Sequence, residues 1–233
     1  MWAVGLSLFL VVALVVVLLR GSRHEVAPQP VDVPRASPAA AAAALESFVQ
    51  GVESRDPEAL AALAPSGDAQ AGDLLAGIGR NAETLDLRAV SARYVDQVGT
   101  VARDGAWTGI VELTWQLGGF DSAPSEADVA VSFVPNRDEL GIASFEANGR
   151  TRFPLWLRGE LSVARRDDVL VLADGTQASA DAVRQRVTRG IGVVERVRPG
   201  RISSVVVEVP ATASDLDETL GVEPGTYAGI AAV

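Results

Sequence analysis

The single histidine of the chain, His24, is followed by Glu25 and opens the sequence His-Glu-Val-Ala-Pro. A zinc-peptidase helix needs a second histidine four residues after the first, because both rings must lie on one helix face to share the metal. Pro28 stands at that position. The chain also has no cysteine, so disulfides, thiolate catalysis and cysteine metal sites are excluded.

Two other patterns begin like ligand sites and then depart from them. Segment 190–195 has two glycines in the spacing of a dinucleotide loop, but a glutamate stands where the third glycine belongs. Carboxylates in segment 215–220 begin like a calcium loop, but a leucine replaces the glycine that such a loop requires. An irregularity within a helix explains the two glycines of 190–195. The carboxylates of 215–220 are explained by a position in the first turn of a helix, where the helix dipole favours negative charge. We therefore predict no catalytic, cofactor-binding or metal-ligating residue in this chain.

A ligand cavity within the first predicted domain is the remaining candidate. Tyr94, Glu112, Trp115 and Arg152 are its possible polar and aromatic lining. Core packing is the alternative for Trp115, and a solvent-facing strand position is the alternative for Glu112. No spacing among these residues selects a catalytic pair.

The chain is acidic, with a formal net charge of −10 and no lysine. Nucleic-acid-binding proteins typically carry a basic stripe, so nucleic acid is not predicted as a partner. Arginines do cluster within 184–198 on a predicted helix. A solvated helix face explains them, and contact with lipid headgroups or an acidic neighbouring domain is the alternative.

The elements that would position these residues begin with an apolar segment, Trp2–Leu19, which has no charged residue. As a helix it would reach roughly 27 Å, enough to cross a hydrocarbon core. No small-residue cleavage site follows it. We predict a transmembrane signal anchor over 1–20, with the membrane as partner, and a proline-rich tether over 21–37. Arg20 and Arg23 by themselves favour a cytoplasmic soluble region.

Residues 38–153 show helical patterns followed by strand patterns. Ser37-Pro38 is typical of a capped helix start, and apolar residues then recur at the helical period. A second helix is predicted after Asp56 and a third near 73–78. Alternation from Trp107 to Leu117 predicts a strand, and a change of parity near 89–90 predicts a β-bulge. Helices followed by an antiparallel sheet indicate an α+β fold.

A second series of strand and helix patterns covers residues 154–233. We predict a hairpin around 165–168, a helix capped by Ser179, an apolar strand over 203–209 and a short helix that ends at Gly221. A further strand is predicted over 226–233. Because it has no polar residues after it, we expect that the chain is truncated there.

Two family resemblances follow from these segments. The order of elements in 38–150 resembles the NTF2-like (SnoaL-like) cone. The sequences Phe-Pro-Leu-Trp-Leu at 153–157, Val-Val-Val-Glu-Val-Pro at 205–210 and Glu-Pro-Gly-Thr-Tyr-Ala-Gly-Ile-Ala-Ala at 223–232 resemble actinobacterial membrane-anchored proteins. In those proteins an NTF2-like region precedes a gluzincin-type, peptidase-MA-like zinc metallopeptidase domain.

The sequence patterns predict an α+β fold with a transmembrane helix, and the resemblance implies an NTF2-like cone over 38–153 and a partial β-α-β region over 154–233. It implies an extracytoplasmic soluble region at the cell membrane. In the family the zinc motif follows the last strand present here, so no catalytic residue is carried over, and zinc is expected only in a longer form. The first hypothesis is thus the non-catalytic N-terminal portion of a metallopeptidase-like protein. The second is a non-enzymatic NTF2-like protein that binds a ligand or a protein partner.

Overall fold

The computed structural model of the chain describes residues 35–198, 200 and 204–227. Three helices come first: α1 is Pro38–Ser54, α2 is Pro57–Ala61 and α3 is Ala69–Thr84. Each begins after a side chain that accepts hydrogen bonds from its free backbone N–H groups, namely Ser37, Asp56 and Asp68. The predicted cap at Ser37 and the predicted start of a helix after Asp56 are therefore confirmed.

Four strands then form an antiparallel meander. They are β1 Leu87–Val98, β2 Trp107–Leu117, β3 Ser125–Asn136 and β4 Glu139–Ala147, paired in chain order. Alternate residues of β2 from Trp107 to Leu117 are buried, as the sequence pattern predicts. The register shifts between Arg88 and Ser91, where Ala89 has a φ of 49°, so the predicted bulge is confirmed.

A second sheet follows a 3-10 turn at Leu155–Leu157. Its strands are β5 Ser162–Arg166, β6 Val169–Ala173 and β7 Val205–Val209; β5 is antiparallel to β6 and β7 is parallel to it. Helix α4, Gln177–Val197, connects β6 to β7, and α5, Ala213–Leu220, follows β7. The hairpin is as predicted, but the predicted cap at Ser179 is wrong, because the Thr176 side chain accepts the hydrogen bond from the Ser179 N–H.

One hydrophobic core runs through both sheets. It joins α1, α3 and the inner face of the first sheet to the 3-10 turn and to Leu170 and Leu172 of β6. A smaller cluster lies between β6 and α4, around Val171 and Ala180. Contacts group the described residues into one compact unit.

The polar contact within that core is made by Asn81 of α3, which is 1% exposed. Its side-chain N–H groups donate to the carbonyl oxygens of Trp156 (2.9 Å) and Gly159 (2.6 Å), and its Oδ1 accepts from the N–H of Leu161 (3.0 Å). This one side chain ties residues 156–161 of the connection between the sheets to α3.

The predicted fold class is wrong in one respect. No helix within the described part of the chain is both long and apolar enough to cross a membrane. The longest helix there, α4, has 21 residues but carries Arg184, Arg186 and Arg189 among other charges. The fold is α+β with two sheets, and the predicted span Trp2–Leu19 lies outside the described residues.

Candidate functional site at the junction of the two sheets

Two of the four predicted cavity residues lie together in the structure. Trp115 and Arg152 line one cavity, with the guanidinium carbon 5.9 Å from the centre of the Trp115 ring. Glu112 lies on the outer face of β2 and pairs with Arg93 (2.7 Å). Tyr94 stands opposite Val111 in the middle of β2, and its ring packs edge-to-face on Trp107 (5.5 Å between ring centres), towards the end of β2 that lies away from Trp115.

The cavity, which we call the junction cavity, lies between the first sheet, β7 and α5 and has a volume of about 290 Å³. Half of its lining is apolar and half is polar. The apolar members are Trp115, Leu117, Val206, Leu216 and Leu220, and the polar members are Asp121, Ser125, Arg152, Glu208 and Thr219.

Local structure holds the walls in place. A capping box between Thr212 and Asp215 starts α5, and Gly221 ends it at a φ of 68°. A Cβ added at Gly221 would lie 2.7 Å from the backbone nitrogen of Arg152, so this close approach requires glycine. Glu218 accepts a backbone hydrogen bond from Phe153 (2.9 Å), which ties α5 to the segment that carries Arg152.

Arg152 and Glu208 form an ion pair at the cavity. One terminal nitrogen of Arg152 lies 2.7 and 2.6 Å from the two carboxylate oxygens of Glu208. The Glu208 side chain is 22% exposed and that of Arg152 is 40% exposed. Because a half-buried charge is costly without a partner, removal of either member leaves the other unfavourably placed.

Burial raises the pKa of Glu208 above its usual value of 4.5; the positive charge and hydrogen bond of Arg152 oppose this shift, and the negative charge of Asp121 adds to it. The folded protein therefore holds this proton more tightly than the unfolded chain does. The contribution of Glu208 to the free energy of unfolding is therefore largest below the pKa that this carboxyl has in the unfolded chain. It declines as the pH rises through the pKa that the carboxyl has in the folded protein.

This direction of the pKa shift leads to a testable result for Glu208→Gln, because glutamine cannot titrate. We expect the free energy of unfolding of the wild type, minus that of the variant, to fall as the pH rises from about 4.5 through the raised pKa, and then to level off. Urea denaturation at a series of pH values measures it. A difference that grows with pH would mean that attraction to Arg152 outweighs burial.

Two buried polar atoms of the cavity residues have no hydrogen-bond partner within the described part of the structure. They are Nε of Arg152 and Oγ1 of Thr219. Thr219 is only 3% exposed, so water does not compensate its hydroxyl from the outside. An unsatisfied buried polar group typically costs about 1–3 kcal/mol, and such groups are rare in native proteins. The same burial closes both atoms to a molecule in the cavity, so they lower the stability of the folded protein beside the cavity and are not contacts for an occupant.

Sequence reasoning did not identify Glu208, Asp121 or Thr219. A signal for Glu208 was present, because it interrupts the otherwise apolar strand Val-Val-Val-Glu-Val. A carboxylate within such a strand needs a partner, and that partner is Arg152, 56 residues earlier. Asp121 and Thr219 carry no comparable signal in the sequence.

A larger depression of about 980 Å³ lies between α3, β4 and the start of the second region. Its lining contains several carboxylates, but Asp68 caps α3 and Glu218 pairs with Arg158. Across the described residues no group of three or more carboxylate or imidazole side chains is arranged to hold a metal ion. We therefore take the junction cavity as the candidate site.

Comparisons with known proteins add no family to this description. No family model, no curated protein and no solved structure matches the chain. The fold and the cavity define an α+β protein with two sheets and a partly polar site between them. The NTF2-like and gluzincin resemblances stay hypotheses drawn from the sequence.

Proposed function

We propose that this protein is a non-enzymatic binding protein that holds a small molecule in the junction cavity. The observation that carries the proposal is the junction cavity itself, whose volume of about 290 Å³ has room for a small molecule. Its wall combines apolar side chains with the ion pair of Arg152 and Glu208.

The wall chemistry supports binding more than catalysis. Its charged groups are an arginine and a glutamate that neutralise each other, and an aspartate whose Oδ2 accepts a hydrogen bond from the Leu117 N–H (2.8 Å). These groups are engaged in holding structure, while the apolar half of the wall contributes burial of ligand surface. Small-molecule sites typically combine apolar wall residues with placed polar groups, and this wall has five residues of each kind.

Thr219→Val tests whether the buried hydroxyl lacks a partner, because valine keeps the shape of threonine and replaces the hydroxyl with a methyl group. We expect the variant to be more stable than the wild type without ligand, by about 1 kcal/mol, since an unsatisfied buried group is gone. Denaturant melts measure this change. The matched control is Thr188→Val on α4, whose hydroxyl bonds to the Arg184 carbonyl of its own helix (2.9 Å). A clear loss of stability in Thr219→Val would show that the hydroxyl already has a partner. The binding function itself is tested by the melting temperature of the chain in the presence of small-molecule fragments, which a bound ligand raises by mass action. No rise with any fragment would contradict the proposal.

Two hypotheses from the sequence stay predictions. The relation to a zinc metallopeptidase would be supported by a reading frame that continues into a His-Glu-x-x-His helix. The location at a membrane depends on Trp2–Leu19, outside the described residues. Cell fractionation of the chain with and without residues 1–34 tests it: recovery of both forms in the soluble fraction would contradict it.

A further inference from the structure

We infer that one exposed face of α4 docks on an anionic lipid surface, with its arginines against the headgroups and its valines in the apolar layer beneath them. The inference goes beyond the proposed function, because none of the residues that it uses lines the junction cavity.

Five exposed residues form one stripe along α4. They are Arg186, Arg189, Val193, Arg196 and Val197, and we call them the α4 stripe. At about 100° of rotation per residue, these positions fall within about 100° of arc around the helix. A different row of the same helix, with Val183, Val187 and Ile191, packs on the second sheet. The α4 stripe therefore faces away from the sheet and towards solvent.

The charge of the α4 stripe is opposite to that of the chain. It has three arginines and no carboxylate, a charge of +3, whereas the whole chain carries −10. The two acidic residues of α4 lie outside the arc and are engaged elsewhere. Asp181 lies 3.7 Å from Arg184, and Glu195 accepts a hydrogen bond from the N–H of Gly200 (3.2 Å). Among the described residues, none of the three stripe arginines forms an ion pair.

The α4 stripe also exposes apolar surface between its charges. Val193 is 53% exposed and Val197 is 77% exposed, and residues four apart are neighbours on a helix surface. One exposed valine is ordinary, but two neighbouring valines among three arginines form a basic and apolar face. Helices that lie at a membrane interface combine these two properties. Their apolar side chains enter the boundary between headgroups and acyl chains, and their arginine heads stay among the headgroups.

Charge complementarity and shape favour an anionic bilayer as the partner. Over the eleven residue steps from Arg186 to Val197 the stripe is about 17 Å long. A bilayer offers anionic groups and an apolar layer along that whole length, whereas nucleic acid offers phosphates without the apolar layer. A membrane is also the partner that the sequence predicts for Trp2–Leu19. The competing partner is a second copy of this chain, whose depression of about 980 Å³ is lined by carboxylates.

The experiment uses the absence of cysteine from the chain. Val193→Cys, made in the full chain, carries a fluorophore whose emission shifts to the blue in an apolar environment. Thr188→Cys is the matched control, because Thr188 is exposed on the same helix but lies outside the stripe. Each labelled protein is mixed with vesicles of phosphatidylcholine alone or of phosphatidylcholine with phosphatidylglycerol. We expect a blue shift only at position 193, only with phosphatidylglycerol, and weaker at high salt.

Neutralisation of the stripe tests the role of its arginines. Arg186→Gln, Arg189→Gln and Arg196→Gln together should abolish the shift. Each arginine near an anionic surface raises the affinity about fivefold, so three raise it on the order of 100-fold. Lysines at the same three positions keep the charge and should keep the shift.

A second triple variant separates local charge from net charge. Arg103→Gln, Arg137→Gln and Arg150→Gln remove three exposed arginines outside α4, and this variant should dock as the wild type does. Circular dichroism and the melting temperature establish that both triple variants are folded.

Three results would overturn the inference. They are no shift at position 193 with phosphatidylglycerol, an equal shift at position 188, and an unchanged shift in the neutralised stripe. A shift that depends on protein concentration and not on lipid would also overturn it, and would assign the α4 stripe to a second copy of the chain. None of these results affects ligand binding in the junction cavity.

Discussion

Asn81→Ala is expected to lower the free energy of unfolding by about 3–4 kcal/mol. The substitution leaves two carbonyl oxygens, of Trp156 and Gly159, and the N–H of Leu161 without their partner. Each unsatisfied buried group costs about 1–3 kcal/mol, and partial rearrangement reduces the sum. Urea or guanidinium denaturation, read as a change in the midpoint at constant slope, measures the effect.

Two further variants separate hydrogen bonding from general damage to α3. Asn81→Asp keeps the size and the acceptor but places a carboxylate oxygen opposite two carbonyl oxygens, so it should be as destabilising at neutral pH and less so in acid, where the protonated carboxyl can donate. Thr84→Ala, on the exposed side of the same helix, should change stability by less than about 0.5 kcal/mol. An Asn81→Ala loss below about 1 kcal/mol would contradict the role of Asn81.

Trp156→Ala is expected to lower the free energy of unfolding by about 3–5 kcal/mol, the usual cost of removing a large buried aromatic side chain. Trp156 is 1% exposed and is among the largest fully buried residues. It packs edge-to-face on Trp115, with 6.1 Å between ring centres, and so supports the floor of the junction cavity. The variant should therefore also lose ligand binding.

Trp156→Phe separates the loss of packing volume from the loss of a hydrogen bond. Because the indole Nε1 of Trp156 has no partner among the described residues, phenylalanine loses packing volume but no hydrogen bond. We expect a loss of less than about 2 kcal/mol, measured by the same denaturation experiment. Trp107→Ala, a buried control at the far end of β2, should be destabilising without a specific effect on binding. Equal losses for Trp156→Phe and Trp156→Ala would mean that an unrecognised polar contact involves the indole.

Much of the local structure could be predicted because its causes are local. The buried face of β2 follows from strict alternation between Trp107 and Leu117, and a strand places alternate residues on one face. The start of α1 follows from Ser37-Pro38, since that pair satisfies free N–H groups and presets the helical φ. The cap at Thr176 was missed because Thr176 and Ser179 can each serve as a cap, and only the observed fold selects between them.

The candidate site was predicted only in part. Trp115 and Arg152 were identified as possible cavity residues from their types, and the structure places them side by side. Tyr94 and Glu112 belong to the same sheet, but the ring of Tyr94 packs towards the opposite end of β2 and Glu112 lies on the outer face. Position along a strand and the face of the sheet decide such proximity, and neither depends on residue type alone.

The sequence by itself determined the acidic character of the chain, the exclusion of cysteine chemistry, and the order of helices and strands in 38–221. These depend on composition or on periodicities of a few residues. Only the tertiary structure decided that β7 and α5 face the end of β2, so that Glu208 meets Arg152 and Thr219 lines the same space. Contacts across such separations result from the packing of whole elements, because hydrophobic burial is non-directional and many arrangements satisfy the same pattern.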